Sequence, residues 1–137
     1  MNQPLVSIII PTYNSASTLA RTLESVKKQT YSNIEVSIVD SHSTDETKII
    51  AQRYGTAVYE TNWKLLGARK MGAEKARGEY VLLLDSDQIL KSDAIARAVE
   101  KIEKENLDML FLGERSYNPF RNTPSCLAPL PSLSCLE

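Results

Sequence analysis

Val81-Leu82-Leu83-Leu84-Asp85-Ser86-Asp87 is an apolar run that ends on paired carboxylates. Four apolar residues in a row, entered through Gly78-Glu79-Tyr80, suit a buried strand that closes on Asp85. In extended chain, carboxylates at positions i and i+2 project to the same side. Two of them with a hydroxyl between suit a hard divalent cation such as Mg²⁺ or Mn²⁺, which prefers oxygen ligands. Two solvated carboxylates in a loop would leave the same trace. Their position after an apolar strand favours a ligand, because open α/β sheets bind ligands beyond the carboxyl ends of their strands.

Outward from this stretch, the pattern alternates. Residues 5–10 are a β-branched run expected to stop at Pro11, before the turn chemistry of Thr12-Tyr13-Asn14-Ser15. Leu19, Leu23 and Val26 recur at helical spacing and predict a helix over residues 16–29. Ile34, Val36 and Ile38 alternate with Glu35 and Ser37, a second strand closing on Val39-Asp40. Ser43-Thr44-Asp45-Glu46 fits a capping box, opening a helix that runs to Tyr54 and stops at Gly55. Residues 57–60 read as a third strand, 65–76 as a helix despite Gly67 and Gly72, and 79–84 as the fourth strand. Ser92 is placed to cap a helix carrying Ile95, Ala98, Val99 and Ile102, and residues 108–112 read as a fifth strand.

This order predicts an α/β fold, a mostly parallel Rossmann-like sheet flanked by helices. It brings three polar clusters to one edge: Pro11 to Asn14, Asp40 to Asp45, and Asp85 to Gln88. One domain is expected over residues 1–115. Residues 116–137 hold four of the six prolines, both cysteines and no glycine, and are expected to form an irregular or poorly ordered tail.

The 137 residues suffice for one domain with its own core. A net charge of −1 argues against a general nucleic-acid binder, which needs a basic excess. No apolar run approaches the length that spans a bilayer, and the start lacks the basic region of a signal peptide, so a cytoplasmic location is expected. Cys126 and Cys135 match no metal spacing and make no disulfide framework.

Single residues carry competing readings. Asp40 can form a local turn or accept a hydrogen bond from a ligand N–H. Asp45 falls in the first turn of a helix, where acids are favoured, and is taken as structural. His42, the only histidine, has no second histidine or cysteine near it, so a loop position beside a ligand edge is the most it supports. Gly67-Ala68-Arg69-Lys70-Met71-Gly72 sets two cations among small residues, and Arg69 can pair with the acidic cluster or contact a phosphate. A solvated helix face explains the same cations. Neither a Gly-x-Gly-x-x-Gly turn after the first strand nor a Walker A loop is present.

Taken together, Ser7-Ile-Ile-Ile-Pro11-Thr12-Tyr13-Asn14, Val39-Asp40-Ser41-His42-Ser43-Thr44-Asp45, Gly67-Ala-Arg69 and Gly78-Glu-Tyr-Val-Leu-Leu-Leu-Asp85-Ser86-Asp87 resemble family 2 glycosyltransferases over residues 4–112. The resemblance implies an A-type glycosyltransferase fold, a nucleoside-diphosphate sugar donor and inversion at the anomeric carbon. It puts Pro11, Thr12 and Tyr13 around the nucleobase, Asp40 on the base, and Arg69 near the diphosphate or the acidic motif. Asp85, with Ser86, falls near ribose and metal, and Asp87 on a Mg²⁺ or Mn²⁺ ion. His42 stands where the family often has glycine. No general base can be matched: Glu103, Glu105, Asp108 and Glu114 lack the context, so the catalytic residue is unassigned. The chain is expected to be mainly the donor-binding part, with the acceptor-binding half largely missing. The acceptor is a polysaccharide, a protein or a lipid phosphate, with peripheral membrane association through it. The alternatives are a non-catalytic nucleotide-binding or regulatory domain on the same fold and, fitting less well, a phosphoacceptor signalling domain.

Overall fold

A computed structural model of the chain describes residues 3–114 and the backbone of residues 135–136. Its elements are β1 (Val6–Thr12), α1 (Leu19–Lys27), β2 (Ile34–Asp40), α2 (Thr47–Arg53), β3 (Ala57–Glu60), α3 (Leu65–Lys75), β4 (Tyr80–Leu83), α4 (Ala94–Glu105), β5 (Phe111–Leu112) and β6 (Cys135–Leu136). They divide between two units, Met1–Ser92 and Asp93–Glu137.

The first unit is a four-stranded sheet in the order β3-β2-β1-β4, every pair parallel. β1 is buried along its whole length. Ile9 packs with Val39 and Ala68 of α3, while Ile8 and Ile10, which point to the opposite face, are equally buried. Both faces of β1 are therefore covered, as a continuous β-branched run requires. α3 seats closely because position 72 has no side chain: a Cβ there would fall 2.1 Å from Ile9 Cγ2. The glycine that weakens the helix by propensity is what lets it approach the sheet.

β1 does not stop at Pro11 but runs through it to Thr12, with Pro11 opposite Val39. Leu84 N–H bonds Ile9 O and Ser41 N–H bonds Thr12 O, so odd residues of β1 face β4 and even ones face β2. Pro11 thus directs its missing donor toward the β4 side, where pairing has already ended at Ile9–Leu83. No ladder bond is lost there.

The amino ends of the strands are tied by Glu35. It accepts from Ser7 Oγ at 2.6 Å and from Arg77 N–H at 2.8 Å, and its other oxygen takes Arg77 Nε and Nη2 at 2.9 and 2.8 Å. The Ser7 hydroxyl, then the Arg77 amide, hold this carboxyl below its ordinary range.

Three expectations about element ends need correction. Ser43 does not cap α2. That helix begins at Thr47, and Asp45 Oδ1 takes Thr47 N–H at 3.0 Å, while Ser43 turns its hydroxyl to Asp40. Ser92 does not cap α4 either: the position before the helix is Asp93, without a side-chain bond, and the helix ends on Asn106 in the left-handed region at φ 52°. The fifth strand is short and does not extend the main sheet. β5 pairs in parallel with β6, Phe111 opposite Cys135. Of the expected tail, residues 116–134 and 137, including Cys126, lie outside the described residues. Among the described residues no helix is long and apolar enough to cross a membrane.

Candidate functional site

Strand numbering reverses between β1 and β4, since β2 and β3 lie to one side of β1 and β4 to the other. That reversal opens a crevice at the carboxyl ends of the strands, where α/β sheets bind ligands. Three loops meet at this edge and are bonded to one another. Asn14, in the left-handed region at φ 48°, donates its N–H to Ser43 Oγ at 2.9 Å and accepts Thr44 N–H on Oδ1 at 2.9 Å. Ser15 N–H bonds Thr47 Oγ1 at 2.8 Å, and Ala16 N–H bonds Asp45 Oδ2 at 3.0 Å. From the β4 side, Ser86 Oγ donates to Ser15 Oγ at 2.9 Å, and Ser86 O accepts from Thr22 Oγ1 at 3.0 Å. Sequence patterning placed Asn14 in the first polar cluster but singled out none of Ser15, Thr22 or Thr47 as site-building. Their partners lie far along the chain, and only turn chemistry at Asn14 and Ser15 hinted at a loop.

Of the first cluster, Pro11 and Thr12 are buried, and Tyr13 is 65% exposed at the rim. Asp40 is fully buried. Its Oδ1 accepts from Thr12 Oγ1 at 2.7 Å and Ser43 Oγ at 2.6 Å, and its Oδ2 accepts from Ser43 N–H at 2.7 Å. Asp40 is therefore the pin between the β1 and β2 loops. Asp45 ties the same loops from outside, and the Thr47 hydroxyl holds its carboxyl below the ordinary value of 3.8. His42 adopts φ 56°, the conformation a glycine takes freely, and its Nε2 lies 2.7 Å from Asn62 Oδ1.

Arg69 and Asp85 meet, Nη2 to Oδ1 at 2.5 Å, so of its two readings the arginine takes the acidic cluster. Its Nε is buried without a partner. Lys70 stays on the solvated face, loosely paired with Glu74 at 3.8 Å. The paired-carboxylate geometry needs correction: Asp85 to Gln88 is not extended but a turn, with Gln88 N–H on Asp85 O at 3.1 Å and Gln88 Oε1 taking Asp85 N–H at 2.9 Å. The alternation that would put Asp85 and Asp87 on one side does not apply inside a turn. Asp87 is exposed. No cluster of three or more metal-ligating His, Cys, Asp or Glu exists among the described residues.

The glycosyl transferase family 2 model matches residues 7–124. Glycosyltransferase GlyG of Streptococcus pneumoniae is 31% identical over 121 residues, which is 83% of this chain and 40% of that protein. TarS of S. aureus (residues 1–349), solved with UDP-GlcNAc, superposes at a TM-score of 0.79 with 30% identity, over 88% of this chain and 37% of that one. The Pyrobaculum calidifontis mannosyltransferase PcManGT, solved with GDP-Man and Mn²⁺, gives 0.75 and 27% identity, over 83% of this chain and 36% of that one. The chain thus spans about 40% of the length of GlyG. The parallel sheet, its flanking helices and these neighbours identify the A-type glycosyltransferase fold, and the chain belongs to glycosyltransferase family 2.

Proposed function

We propose that this chain binds the nucleoside-diphosphate sugar of a metal-assisted, inverting sugar transfer and forms the donor-binding part of that enzyme. The observation that carries this reading is the contact of Arg69 with Asp85 at the strand-order reversal, with Arg69 Nε buried and unbonded. A buried donor without an acceptor is costly, and a ligand oxygen such as a diphosphate's would satisfy it. TarS with UDP-GlcNAc and PcManGT with GDP-Man and Mn²⁺ support the same donor class.

Pro11 and Thr12 form the floor of the base pocket, and the exposed Tyr13 ring forms its wall. Asp40 orders that pocket through Thr12 and Ser43. A direct contact of Asp40 with a base N–H would require the Thr12 hydroxyl to give up its place on Oδ1. Ser86 fixes the β4 loop against Ser15, so that Asp85 and Asp87 approach the diphosphate from a bonded turn.

The donor set fits Mg²⁺ or Mn²⁺. Such ions take one or two carboxylates and complete their shell with phosphate oxygens and water, so two carboxylates are enough. Asp87 would be the principal ligand, with Asp85 sharing through the oxygen that Arg69 leaves open. A bound ion supplies Lewis-acid stabilisation of the leaving diphosphate. The acceptor is a polysaccharide, a protein or a lipid phosphate.

The test is calorimetric titration with UDP- and GDP-sugars, with and without Mn²⁺, alongside release of nucleoside diphosphate in the presence of candidate acceptors. Metal-dependent binding with release supports the reading. Binding without release under any acceptor favours a nucleotide-binding regulatory domain, and absence of binding overturns both.

A further inference from the structure

One surface of the first unit is apolar, basic and open. Trp63, the only tryptophan of the chain, is 54% exposed, Leu65 49% and Leu66 78%. The ring is seated rather than loose. A Cβ at Gly67 would fall 2.3 Å from Trp63 Cβ and 2.9 Å from its Cγ, so only a glycine lets the indole lie on the first turn of α3. The backbone beneath is fixed by Trp63 N–H on Thr61 Oγ1 at 3.1 Å, by Ser41 Oγ on Trp63 O at 2.9 Å, and by Asn62 on His42. Leu66 and Lys70, four residues apart on α3, share one face of it, and Trp63, just before the helix, lies against Gly67. Neighbouring large apolar side chains held outward on a fixed backbone mark an interaction surface.

Charge indicates what covers it. Residues 61–77 carry Lys64, Arg69, Lys70, Lys75 and Arg77 against Glu74 alone, in a chain of net charge −1. Arg69 and Arg77 are engaged by Asp85 and Glu35, and Lys75 lies over the Tyr59 ring at 4.7 Å. Lys64 and Lys70 remain exposed, one on each side of Leu65 and Leu66, with only the loose Glu74 contact at 3.8 Å. Tryptophan and leucine flanked by lysines is the chemistry of a bilayer interface: the apolar groups enter the acyl boundary, the indole sits at headgroup depth and the lysines meet anionic headgroups.

We propose that the first turn of α3, with Trp63, Lys64, Leu65 and Leu66, docks peripherally on an anionic lipid bilayer. Because Ser41 ties this turn to the loop after β2, docking sets the carboxyl edge of the sheet beside the headgroups. The proposal holds whichever sugar donor the chain takes, and its test measures binding alone.

Trp63 is its own reporter. The chain is titrated with vesicles of equal parts phosphatidylcholine and phosphatidylglycerol, and with phosphatidylcholine alone, following tryptophan emission and co-sedimentation. Anionic vesicles should shift the emission to the blue and carry the protein down, and phosphatidylcholine alone should do neither. Leu66→Glu should weaken partitioning at least about tenfold, and Lys64→Gln about fivefold. Both side chains are exposed, so circular dichroism and melting should match the parent. Unchanged emission with anionic vesicles, equal binding to both lipids, or full binding by Leu66→Glu each overturns the proposal. So does a blue shift that grows with protein concentration without lipid, which would assign the surface to a second copy of the chain.

Discussion

β2 ends on Asp40, and β4 is followed after Leu84 by Asp85, at the same edge of one sheet, yet the two loops are opposites. After β2, Asp40 is fully buried and meets three donors from Thr12 and Ser43. After β4, Asp85 is partly exposed against a single arginine whose Nε is unbonded, and Asp87 stands in solvent. The first loop has used its polar capacity on itself and has become framework. The second has kept capacity in reserve. Residue type and topological place are shared, so the difference lies in how many donors the surrounding loops aim at each carboxylate.

The largest expected effect comes from removing the pin. Asp40→Ala leaves the Thr12 hydroxyl and the Ser43 amide and hydroxyl without their acceptor in a buried place, and should cost about 3–5 kcal/mol of unfolding free energy. Asp85→Ala should cost less than about 1 kcal/mol, because its pair is partly solvated. Equilibrium denaturant unfolding compares them. Similar losses would erase the distinction between framework and reserve.

Next comes the loop held in reserve. Asp87→Ala should leave the melting curve in place and weaken nucleoside-diphosphate affinity in Mn²⁺ by at least about tenfold, or about 1.4 kcal/mol. Calorimetry at saturating metal is the check. Equal affinity in variant and parent would remove Asp87 from the metal's ligands.

How much of this could be read from the chain follows the same division. β1 was legible because burial on both faces leaves a continuous β-branched run, whereas the apolar run of β4 was read as buried although Val81 and Leu83 are exposed. α3 was legible because its length outweighed two glycines. Pro11 was misread as a stop, since its harmlessness depends on where β4 ends. Ser43 was misread as a cap because the capping-box pattern is local, whereas its hydroxyl answers to Asp40 and Asn14. The turn from Asp85 to Gln88 was invisible to strand alternation, since its bonds depend on Gln88 folding back. Arg69 could be named as a partner of the acidic cluster, but its unbonded Nε could not, because burial of one atom is a tertiary fact.

Acid sharpens the comparison further. Asp45 is depressed chiefly by the Thr47 hydroxyl, with Ala16 and Thr47 amides adding to it. A carboxyl whose pKa falls on folding contributes stability above its unfolded value, here about 3.8, and loses it as pH drops through the lower folded value. Glu35 behaves alike from an ordinary value of 4.5, at the opposite end of the sheet. Stability should therefore fall with acidification below about pH 4.5, and Asp45→Asn should flatten the part of that slope below about pH 3.8. Unfolding curves at stepped pH test this. An unchanged slope in the variant would mean that Asp45 does not tie the loops through its charge.

The smallest effect isolates backbone from side chain inside the framework loop. His42 stands at φ 56°, where a β-carbon crowds the following carbonyl at a cost of about 1–2 kcal/mol. Its ring returns part of that through Asn62, by about 0.5–1.5 kcal/mol for one hydrogen bond. His42→Ala keeps the strain and loses the bond, so it should destabilise. His42→Gly loses the bond and the strain together, although glycine also gives the unfolded chain more freedom to lose. The two variants differ only in the β-carbon, and glycine should be the more stable by about 1 kcal/mol. Denaturant midpoints at constant slope measure that difference directly. If alanine equals glycine, the loop after β2 relaxes around position 42 and is less rigid than its bonding implies. If glycine leads, the backbone there is fixed from outside, by the bonds of Asp40, Asn14 and Asp45 on either side of a residue that would rest more easily elsewhere.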